Sequence, residues 1–340
     1  MDSARGLRGY LASQLYVTMR PEEPPAPARE PAVPAKPVVA GVDGSTGGRS
    51  AAAWAAREAA RRGVGLRLVH ACLLPGLTGQ GPDATATEVT NTWLADAAAV
   101  AEAAAPGVPI TKIVIEGEAG PVLRQESESA ALVVVGSRGL SALGRLVVGS
   151  VATTLALHGG CPVVVARTEP DPEGPVVVGV ECAPEGEDAV SCAFDHAARA
   201  GAPLVAVRTW RDPLAEAWSG VPSTVDIEVV ERAEHEALLD YLRPWLLRHP
   251  EVDVTARVMR SASPADGLLR AAKGARLLVV GSHGRGLLTG ALLGSTSRAV
   301  MHHAECPVAV VRPPAVAGNE RAKVPGRGDQ RSSSRSPACR

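Results

Sequence analysis

Residues 133–167 read VVVGSRGLSALGRLVVGSVATTLALHGGCPVVVAR, and residues 278–312 read LVVGSHGRGLLTGALLGSTSRAVMHHAECPVAVVR. Six residues of the first stretch recur in the second, each displaced by 145 positions (281 − 136): Gly136, Gly139, Gly149, Ser150, Cys161 and Pro162 return as Gly281, Gly284, Gly294, Ser295, Cys306 and Pro307. A repeat of this length has the size of a domain and is too long for a solenoid unit. The chain therefore carries two tandem copies of one fold.

A second match places the domain boundaries. The segment PVVAGVD at 37–43 returns as PVVVGVE at 175–181, displaced by 138 positions (175 − 37), so the second copy has seven extra residues (145 − 138), which we place around 210–225. We predict a first domain over 37–167, a linker over 168–174 and a second domain over 175–312. The Pro-rich arm 1–36 and the Gly-, Ser- and Arg-rich tail 313–340 are predicted to be disordered, and Met19 is an alternative start to Met1.

Short β-branched runs alternate with Ala-rich helical segments in both halves, which predicts an α/β fold with parallel strands. Strands are expected at 38–42, 66–71, 110–115, 132–135 and 163–166, and again at 176–180, 204–208, 252–258, 277–280 and 308–311. We therefore predict two tandem Rossmann-like, doubly wound domains, each a five-stranded parallel sheet with helices on both faces. A ligand is expected at the carboxyl ends of the first and fourth strands, where the strand order reverses.

The spacing G-x2-G-x9-G-S follows the fourth predicted strand in each copy. Glycines at this place allow the backbone to approach a ligand closely, and the Gly-Ser pair opens a helix whose free N–H groups favour phosphate. The pattern lacks the Gly-Lys-Ser/Thr of a Walker loop and the glycine spacing of a dinucleotide fingerprint. The alternative is that the glycines serve only the tight geometry of a strand, a loop and a helix.

Composition excludes several classes of protein. Of the 340 residues 46% are hydrophobic and 21% charged, and the formal net charge is −1, which gives no basic field for nucleic acid. The six cysteines are scattered without metal-ligand spacing. The sequence shows no apolar run of about 18 residues and no signal-peptide pattern, so we expect a cytoplasmic protein with no membrane partner.

The first strand with its turn (VGVDGS), the glycine pattern and the closing CPVVVAR resemble the universal stress protein family over about 37–167 and 175–312. In that family the glycine pattern marks the members that bind ATP. The resemblance implies ATP as the ligand, with Mg²⁺ held only through phosphate oxygens, pairing of the two domains within the chain, and a homodimer. The residues that it places around ATP in the first domain are Gly41, Asp43, Ala71, Gly136, Ser137, Arg138, Gly139, Leu140, Gly149, Ser150 and Val151.

In the second domain the corresponding residues are Gly179, Glu181, Thr209, Gly281, Ser282, His283, Gly284, Arg285, Gly294, Ser295 and Thr296. This domain departs from the pattern after its first strand, where Glu181-Cys182-Ala183 replaces Asp43-Gly44-Ser45, so the sequence supports ATP binding there less well than in the first domain. His283 corresponds to Arg138, which argues against a shared catalytic histidine.

The leading hypothesis from sequence is an ATP-binding regulatory protein of the stress response, in which ATP is a ligand that controls conformation or a protein partner. Two alternatives stay open. One is a slow nucleotide hydrolase or transferase, although the sequence shows no paired base and nucleophile and therefore predicts at most a weak ATPase. The other is a scaffold that binds no nucleotide and uses the repeat for dimer-like assembly.

Overall fold

Ten short, Val-rich strands form one continuous sheet within residues 35–72, 84–137, 149–167, 173–211, 226–282 and 293–313, the part of the chain that the computed structural model describes. Nearly all residues of the inner strands are buried, which is the pattern of a parallel sheet covered on both faces. The strands are β1 Val38–Gly41, β2 Leu66–Cys72, β3 Ile110–Glu116, β4 Leu132–Gly136, β5 Val163–Ala166, β6 Val176–Gly179, β7 Leu204–Trp210, β8 Val254–Arg260, β9 Leu277–Gly281 and β10 Val308–Val311.

Helices connect the strands and cover the sheet. Helix α1 shows how the sequence sets their ends: the Ser45 hydroxyl accepts from the N–H of Gly48 at 3.0 Å, and Gly63 ends the helix in the left-handed region at φ 65°. None of the helices in the described ranges is long and apolar enough to span a membrane. The helices are α1 Thr46–Arg62, α2 Ala84–Ala104, α3 Ala119–Ser129, α4 Ser150–His158, α5 Glu187–Ala200, α6 Ile227–Arg248, α7 Pro264–Ala271 and α8 Ser295–His303.

The strand order is β3-β2-β1-β4-β5-β10-β9-β6-β7-β8, with parallel pairing inside each half. The first strand of each half lies between the second and the fourth, so the order reverses there, as predicted. The fold class of two tandem Rossmann-like domains is confirmed. Strand β8 begins at Val254, two residues later than predicted. The residues before it form a turn, in which the N–H of Val252 donates to the His249 carbonyl at 3.1 Å.

The two halves join through their last strands. β5 and β10 pair antiparallel, with Val164 opposite Ala309 at the centre. These two residues are repeat equivalents, displaced by 145 positions (309 − 164), so an approximate two-fold axis passes between them. Arg167 and Arg312, also equivalents, cross this axis: each guanidinium donates to a carbonyl in the last turn of the other domain's final helix, that of Met301 or Leu157. A cation at the negative end of a helix dipole stabilises each crossing.

A buried carboxylate–imidazole pair lies beside the axis on the opposite face of the sheet. Glu58 of α1 is fully buried, and its carboxylate lies 3.2 Å from the Nδ1 atom of His196 on α5. The two residues are repeat equivalents (196 − 58 = 138), so a pairing of two identical domains would place like against like at this point. Arg62 donates to the same carboxylate at 2.7 Å, and the Trp54 indole stacks on the imidazole with ring centroids 5.9 Å apart. The contact therefore fits two unlike halves.

The surroundings of Glu58 make its charge part of the stability of the protein. Burial by itself raises the pKa of Glu58, but the hydrogen bond and charge of His196, followed by the charge and hydrogen bond of Arg62, outweigh burial and lower the pKa from 4.5 to about 2. A depressed carboxyl pKa stabilises the folded state above the unfolded-state value, and this stabilisation is lost as the pH falls through the folded-state value.

We therefore expect the free energy of unfolding to fall by about 3 kcal/mol between pH 5 and pH 2 through Glu58 alone. In Glu58→Gln this component is absent, so the difference between wild type and variant should shrink steadily over that range. Urea unfolding followed by circular dichroism at each pH measures both curves. Parallel curves for the two proteins between pH 5 and pH 2 would contradict the assignment.

An exchange of the two side chains tests the unlike pairing directly. His196→Glu places a second carboxylate against Glu58 and Glu58→His places two imidazoles together, and we expect each to lower the free energy of unfolding by about 3–5 kcal/mol. Glu58→His combined with His196→Glu restores a pair of one carboxylate and one imidazole and should recover part of this loss, as a coupling above about 1 kcal/mol in a double-mutant cycle. Additive losses would show that the pair contributes no specific interaction.

Candidate functional site

Glycines bring the carboxyl ends of β1 and β4 against neighbouring elements in the first domain. A Cβ atom on Gly136 would lie 2.6 Å from the carbonyl carbon of Gly47, and one on Gly41 would lie 2.6 Å from Cδ1 of Leu123. The end of β4 therefore packs directly on the first turn of α1. These glycines serve close packing, whether or not a ligand also approaches them.

Asp43 follows β1 and is tied to the start of α1. Its Oδ1 atom accepts from the N–H of Ser45 at 3.1 Å and from the Ser45 hydroxyl at 2.6 Å. The same hydroxyl caps α1, so carboxylate, hydroxyl and helix N-terminus form one chain of hydrogen bonds. This arrangement places a negative group at the positive end of a helix dipole.

Trp93, which the sequence reasoning missed, lies over the turn after β1. Gly44 has φ +78°, and a Cβ atom there would lie 2.6 Å from three atoms of the Trp93 indole. The indole also packs edge-on against His70, with ring centroids 5.4 Å apart, and Nδ1 of His70 lies 2.8 Å from the Val42 carbonyl oxygen. The only sequence signal for this contact is the glycine of the turn, which does not say what covers it.

A cavity of about 470 Å³ opens beside the start of α4. It brings together three residues of the predicted first site, Ala71, Ser150 and Val151, with the segment 117–121 before and within α3. Gly149 is the residue before α4, and its carbonyl accepts from the N–H of Thr153. Among the described residues, those that line this cavity do not include Gly41 or Asp43.

The second domain has a larger cavity, of about 710 Å³, at the carboxyl ends of β6, β7 and β9. The N-terminus of α8 lies at its wall, held to β9 by the Ser297 hydroxyl, which donates to the Gly281 carbonyl at 2.6 Å. Ser282 is fully buried, and its carbonyl accepts from the N–H of Gly294 at 2.9 Å. The predicted site residues that line this cavity are Gly179, Glu181, Thr209, Gly281, Gly294, Ser295 and Thr296.

An ion pair that the sequence reasoning did not assign to the site also lines this cavity. Arg208, the equivalent of His70, donates to the Glu234 carboxylate of α6 and, at 3.2 Å, to the Glu181 carbonyl. Burial by itself lowers the pKa of Arg208, but the hydrogen bond with Glu234, the nearby Cys182 side chain and the charge of Glu234 raise it above its ordinary value. The guanidinium is therefore a fixed positive charge beside the end of β6. No sequence pattern pairs positions 208 and 234, because α6 must first pack beside β7.

The remaining predicted site residues are Ser137, which the structure describes, and six residues that lie outside the described ranges. Ser137 is buried, and its N–H donates to the Ala166 carbonyl at 2.9 Å, so its backbone is part of the join between β4 and β5. Six predicted residues lie outside the described part of the chain, and their role stays a prediction: Arg138, Gly139, Leu140, His283, Gly284 and Arg285. Residues 1–34 of the predicted arm 1–36, residues 168–172 of the linker, residues 212–225 of the predicted insertion around 210–225 and residues 314–340 of the predicted tail lie outside it as well. Where the structure does describe residues, no cluster of three or more His, Cys, Asp or Glu side chains could hold a metal.

Known proteins resemble this chain over both halves. The model of the universal stress protein family matches residues 34–167 and 174–312. A universal stress protein of Mycobacterium tuberculosis is 37% identical over 291 residues, which cover 81% of this chain and 96% of that protein. One of Mycolicibacterium smegmatis is 37% identical over 295 residues, covering 81% and 97%. The crystal structure of a universal stress protein from Archaeoglobus fulgidus superposes with a TM-score of 0.59 at 19% identity, over 81% of this chain and 98% of that one, and shows a shared fold.

The packing at the end of β4 predicts different costs for two glycine substitutions in the same motif. Gly136→Ala forces a methyl group against the backbone of Gly47 and should lower the free energy of unfolding by about 1–3 kcal/mol. Gly149→Ala meets no atom of the described residues within 4 Å and loses only the preference of an N-cap position for Gly over Ala, so it should lower the free energy of unfolding by about 0.5 kcal/mol. Thermal and urea unfolding measure both. Equal losses would show that Gly136 has no special packing role.

Proposed function

The chain belongs to the universal stress protein family, and from that premise we propose that it binds ATP as a regulatory ligand in the stress response. The observation that supports this most directly is the cavity of about 710 Å³ in the second domain. It lies at the carboxyl ends of parallel strands where the strand order reverses, the usual ligand position in doubly wound folds.

The chemistry of the cavity wall supports a nucleotide. Its volume lies within the range of about 300–1,000 Å³ that is typical of small-molecule sites. Ser295 and Thr296 begin α8, whose unpaired N–H groups and positive dipole end favour phosphate. Glu181 offers a carboxylate for ribose hydroxyls, and Thr209, the equivalent of Ala71, stands where the family resemblance places the base. We assign phosphate to the α8 end of the cavity and adenosine to the β6–β7 end.

The proposed role of ATP is to stabilise one conformation or one partner complex, since a ligand shifts an equilibrium by its difference in affinity for the two states. Mg²⁺ would enter through the phosphate oxygens. The alternatives are a slow hydrolase or transferase and a scaffold without nucleotide, and measurements of ATP turnover and of nucleotide content separate them. We also propose a cytoplasmic location and a homodimer of the whole chain, which light scattering would test.

Ser295→Glu should abolish tight ATP binding at the second site. A carboxylate in the first turn of α8 favours the helix dipole and so keeps the fold, but it repels the triphosphate. We expect the dissociation constant for ATP, measured by isothermal titration calorimetry, to rise at least about tenfold. Nucleotide released from the denatured wild-type protein, and missing from the variant, would add a second readout.

Ser150→Glu is the matched control, because Ser150 occupies the same first position in α4. It leaves the cavity of the second domain intact, so binding there should not change. The proposal fails if wild-type protein carries no nucleotide and neither binds ATP nor gains thermal stability from it. Unchanged affinity in Ser295→Glu would remove α8 from the phosphate site.

A further inference from the structure

The two domains differ most at the turn that follows their first strand. Gly44 and Cys182 are equivalents, each three positions after the end of β1 or β6 (44 − 41 and 182 − 179), and both have positive φ, +78° and 50°. Trp93 and Ala237 are also equivalents, each seventeen positions before β3 or β8 (110 − 93 and 254 − 237). In the first domain the helix carries the bulky Trp93 and the turn has Gly44, which has no side chain. In the second domain the helix has the small Ala237 and the turn has Cys182.

In the first domain the Trp93 indole occupies the space that a side chain at position 44 would fill. Trp93 lies against Gly44 so closely that no Cβ atom fits between them, and its edge packs against the buried His70. His70 is in turn fixed by its contact with the Val42 carbonyl, 2.8 Å away. Gly44 and His70 therefore contact the indole from two sides, next to Asp43, which follows β1.

In the second domain the turn is contacted by Tyr241 of α6, whose hydroxyl donates to the Ala183 carbonyl at 2.8 Å, and the cavity begins beside the turn at Glu181. Sγ of Cys182 lies 3.9 Å from the carbonyl oxygen of Ala237, and Ala237 has no bulk to cover the turn. The cavity there extends to Gly179 and Glu181 at the end of β6 and continues to the start of α8. The smaller cavity of the first domain reaches Ala71 and Ser150, but its described lining lacks the equivalents of Gly179 and Glu181, which are Gly41 and Asp43.

We propose that Trp93 closes the adenosine end of the first site, so that the chain binds one nucleotide, in its second domain. This inference rests on the proposed function and specifies where it operates. In the site assigned to the second domain, adenosine lies at the end of the first strand of that domain and phosphate lies at the N-terminus of its last helix. A closed strand end therefore removes nucleotide affinity from the first domain and leaves its fold intact.

The test is the number of ATP molecules bound per chain, measured on full-length protein by equilibrium dialysis and calorimetry. We expect one for wild type, two for Trp93→Ala, and one for Trp93→Ala combined with Ser150→Glu. Ser150→Glu is chosen because it repels phosphate from the first domain only. Trp93→Ala combined with Ser295→Glu should bind one ATP, now in the first domain.

A reciprocal change keeps the proposal testable if Trp93→Ala unfolds the first domain. Cys182→Gly combined with Ala237→Trp transfers the closed arrangement to the second domain, and we expect at least a tenfold loss of ATP affinity there. Ala237→Leu in the wild-type background is the control for bulk without an indole, and it should lose less affinity.

The outcomes separate the two proposals. No ATP bound by wild type or by any variant overturns the proposed function, and the inference with it. Two ATP molecules bound by wild type, or one bound by a folded Trp93→Ala protein, overturns the inference and leaves the proposed function standing. Retained affinity in the reciprocal variant also overturns the inference, because the indole would then not close a site.

Discussion

The antiparallel pairing of β5 with β10 is the constraint on which the rest of the structure depends. In an isolated domain the last strand, which consists of Val and Ala, would be an exposed edge strand. Such an apolar edge can pair with a strand of another chain. Pairing the two last strands removes both edges at once and makes one ten-stranded sheet. Because equivalent residues meet at the centre, the two halves are related by an approximate two-fold axis, and every further contact between them follows from it.

Near an axis of this kind a position lies close to its own repeat equivalent, so a contact between two different side chains there requires the two copies to differ in sequence. Glu58 opposite His196 is a contact of that type, since two buried carboxylates or two imidazoles in the same place would repel or leave a polar group unpaired. The crossing arginines are alike in the two domains, and each meets the end of a helix, which is a similar environment in both. Divergence at the axis therefore favours pairing within one chain.

The same divergence separates the two candidate sites. Both lie at the carboxyl ends of parallel strands, where helix N-termini and strand ends converge, and both have the Gly-Ser pair that opens the last helix. They differ in the side chains that the second helix of each domain brings to the turn after the first strand: the Trp93 indole in one, and the Tyr241 hydroxyl beside the small Ala237 in the other. In the proposed arrangement, the side chains of this helix set how far each cavity extends toward the first strand.

The sequence by itself determined the α/β class and the tandem organisation, and it predicted where the candidate sites lie. Repeats at a constant displacement, β-branched runs and the Gly-Ser pair are local patterns, and local patterns can be read in order along a chain. Only the tertiary structure decided that Glu58 meets His196, that Trp93 covers Gly44 and that Arg208 pairs with Glu234. Each of these contacts joins elements far apart in sequence, and it depends on strand pairing and helix packing that no local pattern specifies.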